Sequence, residues 1–147
     1  MILLTLLALL AGLPLSSPVK WKFASLPGDK GLVELKITAM VEPGWHIYAT
    51  TLPNEDGPLP TVFRFKESDR YEVLKPLQEP EPVEEFDPNF QTIVRHHSGE
   101  PVFTMTIRSI TKGSFAVEGE VEYMVCNDRT CLPPVVVPIK ITIEAFK

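Results

Sequence analysis

Apolar and polar residues alternate with a period of two along much of this chain, and this pattern constrains the fold more than any other feature. A half-buried β-strand imposes that period, whereas an α-helix cannot keep it. In three stretches the apolar positions share one face: Val33, Leu35, Ile37, Ala39 and Val41; then Phe115, Val117, Val121, Tyr123 and Val125; and finally Val135, Val137, Ile139, Ile141 and Ile143. We expect these residues to form the core.

Shorter segments with strand-like composition lie between these stretches: Lys20–Phe23, Thr61–Phe65, Tyr71–Leu74, Gln91–Arg95 and Val102–Ile107. Prolines (15) and glycines (8) punctuate the segments, and no segment shows a capped helical repeat. Roughly eight or nine short strands with this spacing predict an all-β fold with two packed sheets. The Pro-rich acidic stretch from Glu79 to Glu85 predicts a long surface loop outside the strand ladders.

The chain opens with an apolar run that begins at Ile2, contains no charged residue, and breaks at Gly12 and Pro14. The run has the length of a secretory signal and is too short to span a membrane. We therefore expect residues 1–17 to be a signal peptide or export leader and residues 18–147 to be a single domain. Such a domain would work in the periplasm or another exported location.

Charge and composition indicate which classes of molecule this chain can bind. The formal net charge is −5, and the lysines and arginines are scattered along the chain, which argues against nucleic acid or an anionic membrane as a partner. After the leader, no apolar stretch approaches the roughly 18 residues of a membrane span. The sequence also lacks a phosphate-binding glycine loop, and His96 with Ser98 has no acidic partner at an informative spacing. We expect the partners to be proteins.

Cys126 and Cys131 are the two cysteines, and they lie between the two strongest predicted strands. Asn127-Asp128 provides turn chemistry, so the pair should face itself across the mouth of a hairpin. A disulfide between them would close so small a loop that it contributes only about 2 kcal/mol to stability, against about 5 kcal/mol for a loop of 100 residues. A bond so poorly placed for stabilisation favours a reversible, functional disulfide.

Two other interpretations of the cysteines stay open. A structural clip at the hairpin would suit a non-catalytic adhesion or assembly module that presents an edge strand. A zinc site could recruit His46, His96 and His97. The adjacent pair His96-His97 fits such a site badly, because neighbours on a strand point to opposite faces.

The cysteine pair differs from a thioredoxin-type centre. The sequence has no C-x-x-C motif and no βαβ context, and Pro133-Pro134 prevents a helix whose N-terminus could lower the pKa of a thiol. We therefore expect a reactive thiolate of a partner to attack this disulfide, and the reduced pair to pass electrons on by the same route. Because Pro133 lies beside it, Cys131 is expected to be the more enclosed cysteine.

Three segments in this order resemble one known family. They are Gly44–Tyr48 after the first long strand, Glu84–Phe90, and Val125–Pro134 with its two cysteines. Together they resemble the amino-terminal periplasmic domain of the DsbD thiol:disulfide interchange proteins over nearly the whole chain after the leader. The family pattern has one more residue between the cysteines.

The resemblance implies an immunoglobulin-like sandwich that acts without a cofactor as the protein-disulfide reductase component of a redox chain. Cys126 and Cys131 would take electrons from a thioredoxin-like protein or domain and hand them to exported acceptor proteins. The family's membrane electron conduit would then lie on a separate chain, unless this chain is part of a longer protein.

The resemblance also implies a set of side chains around the cysteines. In the family, an aromatic residue on a cap loop covers the disulfide and moves away when a partner docks. Carried over to this chain, Phe86 is the first candidate for the cap and Phe90 the second. His46 and Tyr48 would line the wall of the site.

Overall fold

The computed structural model describes residues 16–145. Its elements in chain order are β1 (Val19–Pro27), a single 3-10 turn (Asp29–Gly31), β2 (Leu32–Val41), β3 (His46–Tyr48), β4 (Val62–Phe65), β5 (Tyr71–Gln78), β6 (Val83–Asp87), β7 (Thr92–His97), β8 (Val102–Ser109), β9 (Phe115–Tyr123), β10 (Val125–Cys126) and β11 (Val135–Ile143). The predicted leader lies outside the described residues except for its last two, Ser16 and Ser17. Among residues 16–145, no helix has the length and apolarity needed to cross a bilayer.

The strands form two layers, and every strand pair is antiparallel. One layer is the sheet β1-β2-β8-β5. The other contains two smaller sheets, β11-β9-β4 and β10-β3-β7-β6, which we call the outer sheet and the cysteine sheet. Met124 alone separates β9 from β10, so the chain passes directly from the outer sheet into the cysteine sheet. The prediction of an all-β sandwich is confirmed.

The main core fills the space between the two layers. It takes the alternate residues of β2 and β8 from one side and those of β9 and β11 from the other. Nearly all of the predicted core positions are buried, from Val33 in β2 to Ile143 in β11. Since complete burial of one such side chain stabilises a fold by about 1.5–3 kcal/mol, this interior holds the sandwich together.

Val137 is only partly buried against the core, and the assignment of Val135 to the core is wrong. Val135 is 36% exposed although it continues the apolar alternation of β11. Val135 is the first residue of β11, directly after Pro133 and Pro134, where the strand leaves the cysteine hairpin at the rim of the sandwich. Periodicity identifies the inward face of a strand, but it does not show where along the strand the opposing layer ends.

The prediction of a surface loop from Glu79 to Glu85 is wrong in its second half. Strand β6 begins at Val83, and Glu84 and Glu85 pair with Arg95 and Val94 of β7. The strand lies at the edge of the cysteine sheet, where exposed acidic side chains are tolerated and protect the edge from pairing with other chains. The prolines of the stretch precede the ladder, as their missing N–H groups require.

Candidate functional site

A second, smaller apolar cluster lies on the face of the cysteine sheet that points away from the main core. Its buried members are Tyr48, Val94 and Cys126, and four partly buried side chains pack against them: Leu52, Phe90, Met124 and Cys131. The neighbouring positions Ile47 and Val125 belong to the main core instead. Because successive residues of a strand point to opposite faces, the sheet itself separates the two clusters.

Cys126 and Cys131 form a disulfide within this second cluster, with their Cα atoms 4.1 Å apart. The hairpin that joins them is tight: the Asn127 N–H donates to the Thr130 carbonyl at 2.9 Å, and the Leu132 N–H donates to the Val125 carbonyl at 3.0 Å. The two cysteines therefore face each other across a hairpin mouth, as predicted.

The two cysteines differ in accessibility. Cys126 is 0% exposed, whereas Cys131 is partly exposed at the edge of the cluster. The expectation that Cys131 is the more enclosed is therefore wrong. Cys126 belongs to a paired strand and is a buried member of the cluster, whereas Cys131 lies after the turn, where it makes only an isolated bridge to Cys126.

His46 and Tyr48 lie beside the disulfide on β3. His46 is directly opposite Cys126 in the pairing of β3 with β10. The Tyr48 hydroxyl donates to the buried Asp87 carboxylate at 2.6 Å, and the His46 ring nitrogen lies 3.3 Å from the same hydroxyl. Burial and the bond to Asp87 raise the pKa of Tyr48 far above its ordinary value, so the phenol remains protonated.

The electrostatic environment keeps His46 neutral. Its ring lies against that of His96, with the ring centroids 4.6 Å apart. Burial first, and then the neighbouring His96, lower the pKa of His46 below 6.5. His46 is therefore uncharged near neutral pH and does not stabilise a thiolate on Cys126 by charge, since only a cationic neighbour would lower the pKa of that thiol.

The connection from β6 to β7 is shaped by Asp87. One oxygen of its carboxylate accepts from the Tyr48 hydroxyl, and the other accepts from the backbone N–H groups of Asn89 at 2.7 Å and Phe90 at 3.2 Å. The turn places Phe90 against the buried cluster, edge-on to Tyr48 with centroids 6.0 Å apart. The Asn89 side chain donates to the Asn127 carbonyl of the cysteine hairpin at 2.7 Å.

Phe86 has a different position from Phe90. It lies within β6 opposite Ile93 and is 55% exposed. Since Asp87 points toward Tyr48, the preceding residue Phe86 points to the opposite face of the sheet. The structure thus brings Cys126, Cys131, His46, Tyr48 and Phe90 together and leaves Phe86 apart.

Asp87 and Asn89 also belong to the site, although neither was predicted from the sequence to do so. Their signal was present as turn chemistry, because Asp87-Pro88-Asn89 is typical of a segment in which a side chain caps the following N–H groups. The partners of these two residues, Tyr48 and Asn127, are both more than 30 positions away in the sequence. Local patterns give no information on contacts of that range.

His97 is on the opposite face of β7 from His96. Its ring nitrogen hydrogen-bonds to Glu79, and His96 hydrogen-bonds to Glu85. In the part of the chain that the structure describes, no three His, Cys, Asp or Glu side chains are placed to hold one metal ion.

Comparison with known proteins agrees with this geometry. The family model described as "Thiol:disulfide interchange protein DsbD, N-terminal" matches residues 14–142. The chain belongs to the DsbD N-terminal domain family. As a member of this family it is a thiol:disulfide interchange domain, and the resemblance noted in the sequence is confirmed.

Two solved structures related to this family share the fold. The N-terminal domain of DsbD from Neisseria meningitidis, in its reduced form, has a TM-score of 0.59 at 15% identity, with 91% of this chain and 92% of that chain covered. The N-terminal periplasmic domain of ScsB from Proteus mirabilis has a TM-score of 0.54 at 16% identity, with 86% of this chain and 45% of that chain covered. No curated protein sequence matches the chain. The immunoglobulin-like fold of the DsbD N-terminal domains is therefore confirmed.

Beneath the site, Glu79 ties the β5–β6 connection to β7 and to the chain after β3. Its carboxylate accepts from the Thr50 N–H at 2.9 Å and lies 3.0 Å from the ring nitrogen of His97. Burial by itself would raise the pKa of Glu79, but the hydrogen bonds from His97 and Thr50 outweigh it and lower the pKa below 4.5. A carboxyl group with a lowered pKa in the folded state stabilises the fold above its unfolded pKa, and the stabilisation is lost as the pH falls.

We therefore expect Glu79→Gln to reduce the free energy of unfolding by about 1–2 kcal/mol at neutral pH, since the bonds from Thr50 and His97 then end on a neutral amide oxygen instead of a carboxylate. The difference from wild type should shrink as the pH falls from the ordinary pKa of 4.5 through the lowered pKa of folded Glu79, because wild-type Glu79 then loses its charge. Urea denaturation at a series of pH values measures this difference in the free energy of unfolding. Glu81→Gln, the same change at an exposed position of the same loop, is the control. A difference that stays constant down to acid pH would contradict the role given to the Glu79 carboxylate.

Proposed function

We propose that this domain relays electrons in an exported compartment through a reversible Cys126–Cys131 disulfide, between a thioredoxin-like donor and exported acceptor proteins. The observation that carries the proposal is the position of the disulfide. It lies in a small cluster of its own, outside the main core, in a chain of the DsbD N-terminal domain family. A bond in that position can open without loosening the sandwich.

The difference in exposure between the two cysteines supports attack at Cys131. A thiolate of the reduced donor attacks the accessible Cys131 sulfur, the Cys126–Cys131 bond breaks, and Cys126 leaves as a thiolate that takes up a proton. The second cysteine of the donor then attacks the donor's own sulfur in the mixed disulfide. Cys131 is released as a thiolate and takes up a proton. The donor has lost two electrons and become a disulfide, and the domain has gained them as a dithiol.

The same steps in reverse deliver the electrons to a disulfide of the acceptor. The side chains beside the cysteines support a passive role for the domain. His46 is neutral and Tyr48 keeps its proton, so neither supplies a positive charge that would activate Cys126. The reactive thiolate is supplied by the partner.

Phe90 is the better candidate for the cap of the site. It packs on the cluster that contains Cys126, whereas Phe86 is mostly exposed on the other face of the sheet. An aromatic side chain over the disulfide blocks attack by unselected thiolates, and a docking partner displaces it. Leu52 and Met124 complete the apolar surroundings.

The direction of attack predicts which cysteine forms the intermolecular bond. A thioredoxin-like protein without its resolving cysteine is mixed with Cys126→Ser or Cys131→Ser domains, each activated at the remaining thiol as a mixed disulfide with thionitrobenzoate. Because access controls exchange, we expect Cys131 to form the protein–protein disulfide about tenfold faster than Cys126. Non-reducing electrophoresis measures the product.

The control for this experiment is the wild-type oxidised domain with the intact, reduced thioredoxin-like protein. The proposal requires that this mixture yields the reduced domain under native conditions. A disulfide that reacts only after denaturation would contradict the relay and favour the alternative of an adhesion or assembly module with a structural clip.

A separate prediction concerns the cap. Loss of the aromatic contact with Tyr48, worth about 1 kcal/mol, should let Phe90→Ala react with dithiothreitol about fivefold faster than wild type. Phe86→Ala removes the same side chain from the other face of the sheet and should react at the wild-type rate. Quenched alkylation gives both rates. A faster reaction of Phe86→Ala than of Phe90→Ala would favour Phe86 as the residue that covers the disulfide.

A further inference from the structure

We propose that Asn89 is a latch that holds the Phe90 loop closed on the cysteine hairpin and so sets how often the disulfide is open to attack. The inference rests on the proposed function, because it names the residue that controls access to the same disulfide. Asn89 is a positioning residue, since its contact is with the backbone of the hairpin and not with sulfur.

The latch is one hydrogen bond across a long sequence distance. The side-chain amide of Asn89 donates to the carbonyl oxygen of Asn127 at 2.7 Å, in a partly buried position. Asn127 follows Cys126 directly, so the acceptor belongs to the residue next to the sulfur. The bond connects the β6–β7 loop to the disulfide hairpin.

The acceptor side of the latch is held rigidly. The Asn127 N–H donates to the Thr130 carbonyl at 2.9 Å, and the Asn127 side-chain oxygen accepts from the N–H groups of Arg129 and Thr130, both at 2.9 Å. With its own N–H and side chain engaged in the turn, Asn127 presents its carbonyl in a fixed direction.

The donor side is fixed by Asp87. Its carboxylate accepts from the backbone N–H groups of Asn89 and Phe90 and is itself held by Tyr48. Pro88 lies between Asp87 and Asn89 and restricts the backbone of the loop further. Because one turn holds both residues, the Asn89 amide can reach Asn127 only while Phe90 lies on the cluster.

Closure of the loop therefore has two components, the apolar contact of Phe90 and the polar contact of Asn89. Loss of the Asn89 contact should raise the fraction of molecules in which the loop is open. Loss of the Phe90 side chain removes the cover itself, so the position of the loop then no longer affects access to the disulfide. An asparagine suits the position because its amide is a donor of the required length. An aspartate would place a carboxylate oxygen against the Asn127 carbonyl and repel it.

The test is the rate at which dithiothreitol reduces the oxidised full chain. We expect Asn89→Ala and Asn89→Asp each to react about fivefold faster than wild type, the population shift caused by loss of one hydrogen bond. The matched control is Asn54→Ala. The Asn54 amide also donates to a backbone carbonyl of the cysteine sheet, that of Ile93, but it does not touch the hairpin. Asn54→Ala should react at the wild-type rate.

A double-mutant cycle distinguishes a latch from a general loss of structure. If Asn89 acts by holding Phe90 closed, then Asn89→Ala should add little to the rate of Phe90→Ala. The latch would be overturned if the effects of Asn89→Ala and Phe90→Ala on the reduction rate multiplied in the double variant. Equal reduction rates for Asn89→Ala and Asn54→Ala would overturn it as well. The assay uses a small reductant, so a domain that fails to exchange with thioredoxin-like proteins but shows the Asn89 effect refutes the relay and keeps the latch.

Discussion

The arrangement of the site depends on one constraint, the alternation of side chains across the cysteine sheet. Val125 and Ile47 face the main core, while Cys126 and Tyr48, their neighbours in sequence, face the small cluster outside it. The disulfide is thus attached to a rigid layer without being part of the interior that holds the layer in place. Chemistry at the sulfur atoms is separated from the packing that supplies stability.

The same constraint supports the proposed roles of the Phe90 loop and of a docking partner. A disulfide on the outer face of a sheet is open to attack unless something covers it, and the Asp87 turn packs Phe90 against the cluster that contains Cys126. The polar groups beside it are neutral or already engaged, as the lowered pKa of His46 and the raised pKa of Tyr48 show. In the proposed relay, selectivity therefore comes from docking, and reactivity from the thiolate of the partner.

The long strands and the cysteine hairpin could be predicted from sequence because their signals are local. Strands β3 and β10, with three and two residues, are too short to show a period. The face on which Phe86 lies depends on the register of β6 against β7, since a shift of one residue moves a side chain to the opposite face. In this register Asp87 meets Tyr48, 39 positions away, and no local pattern reveals that contact.

The central claim is that the disulfide is separate from the core that stabilises the sandwich. Its most direct test is the free energy of unfolding of the oxidised and the reduced domain, measured by denaturation under otherwise identical conditions. Because the disulfide closes a very short loop, reduction should lower that free energy by only about 2 kcal/mol and leave a cooperative transition. Domains of this kind are stable by about 5–15 kcal/mol, so the reduced form should remain folded. A reduced domain that is unfolded, or whose main core no longer melts cooperatively, would show that the bond supports the sandwich and would contradict the account.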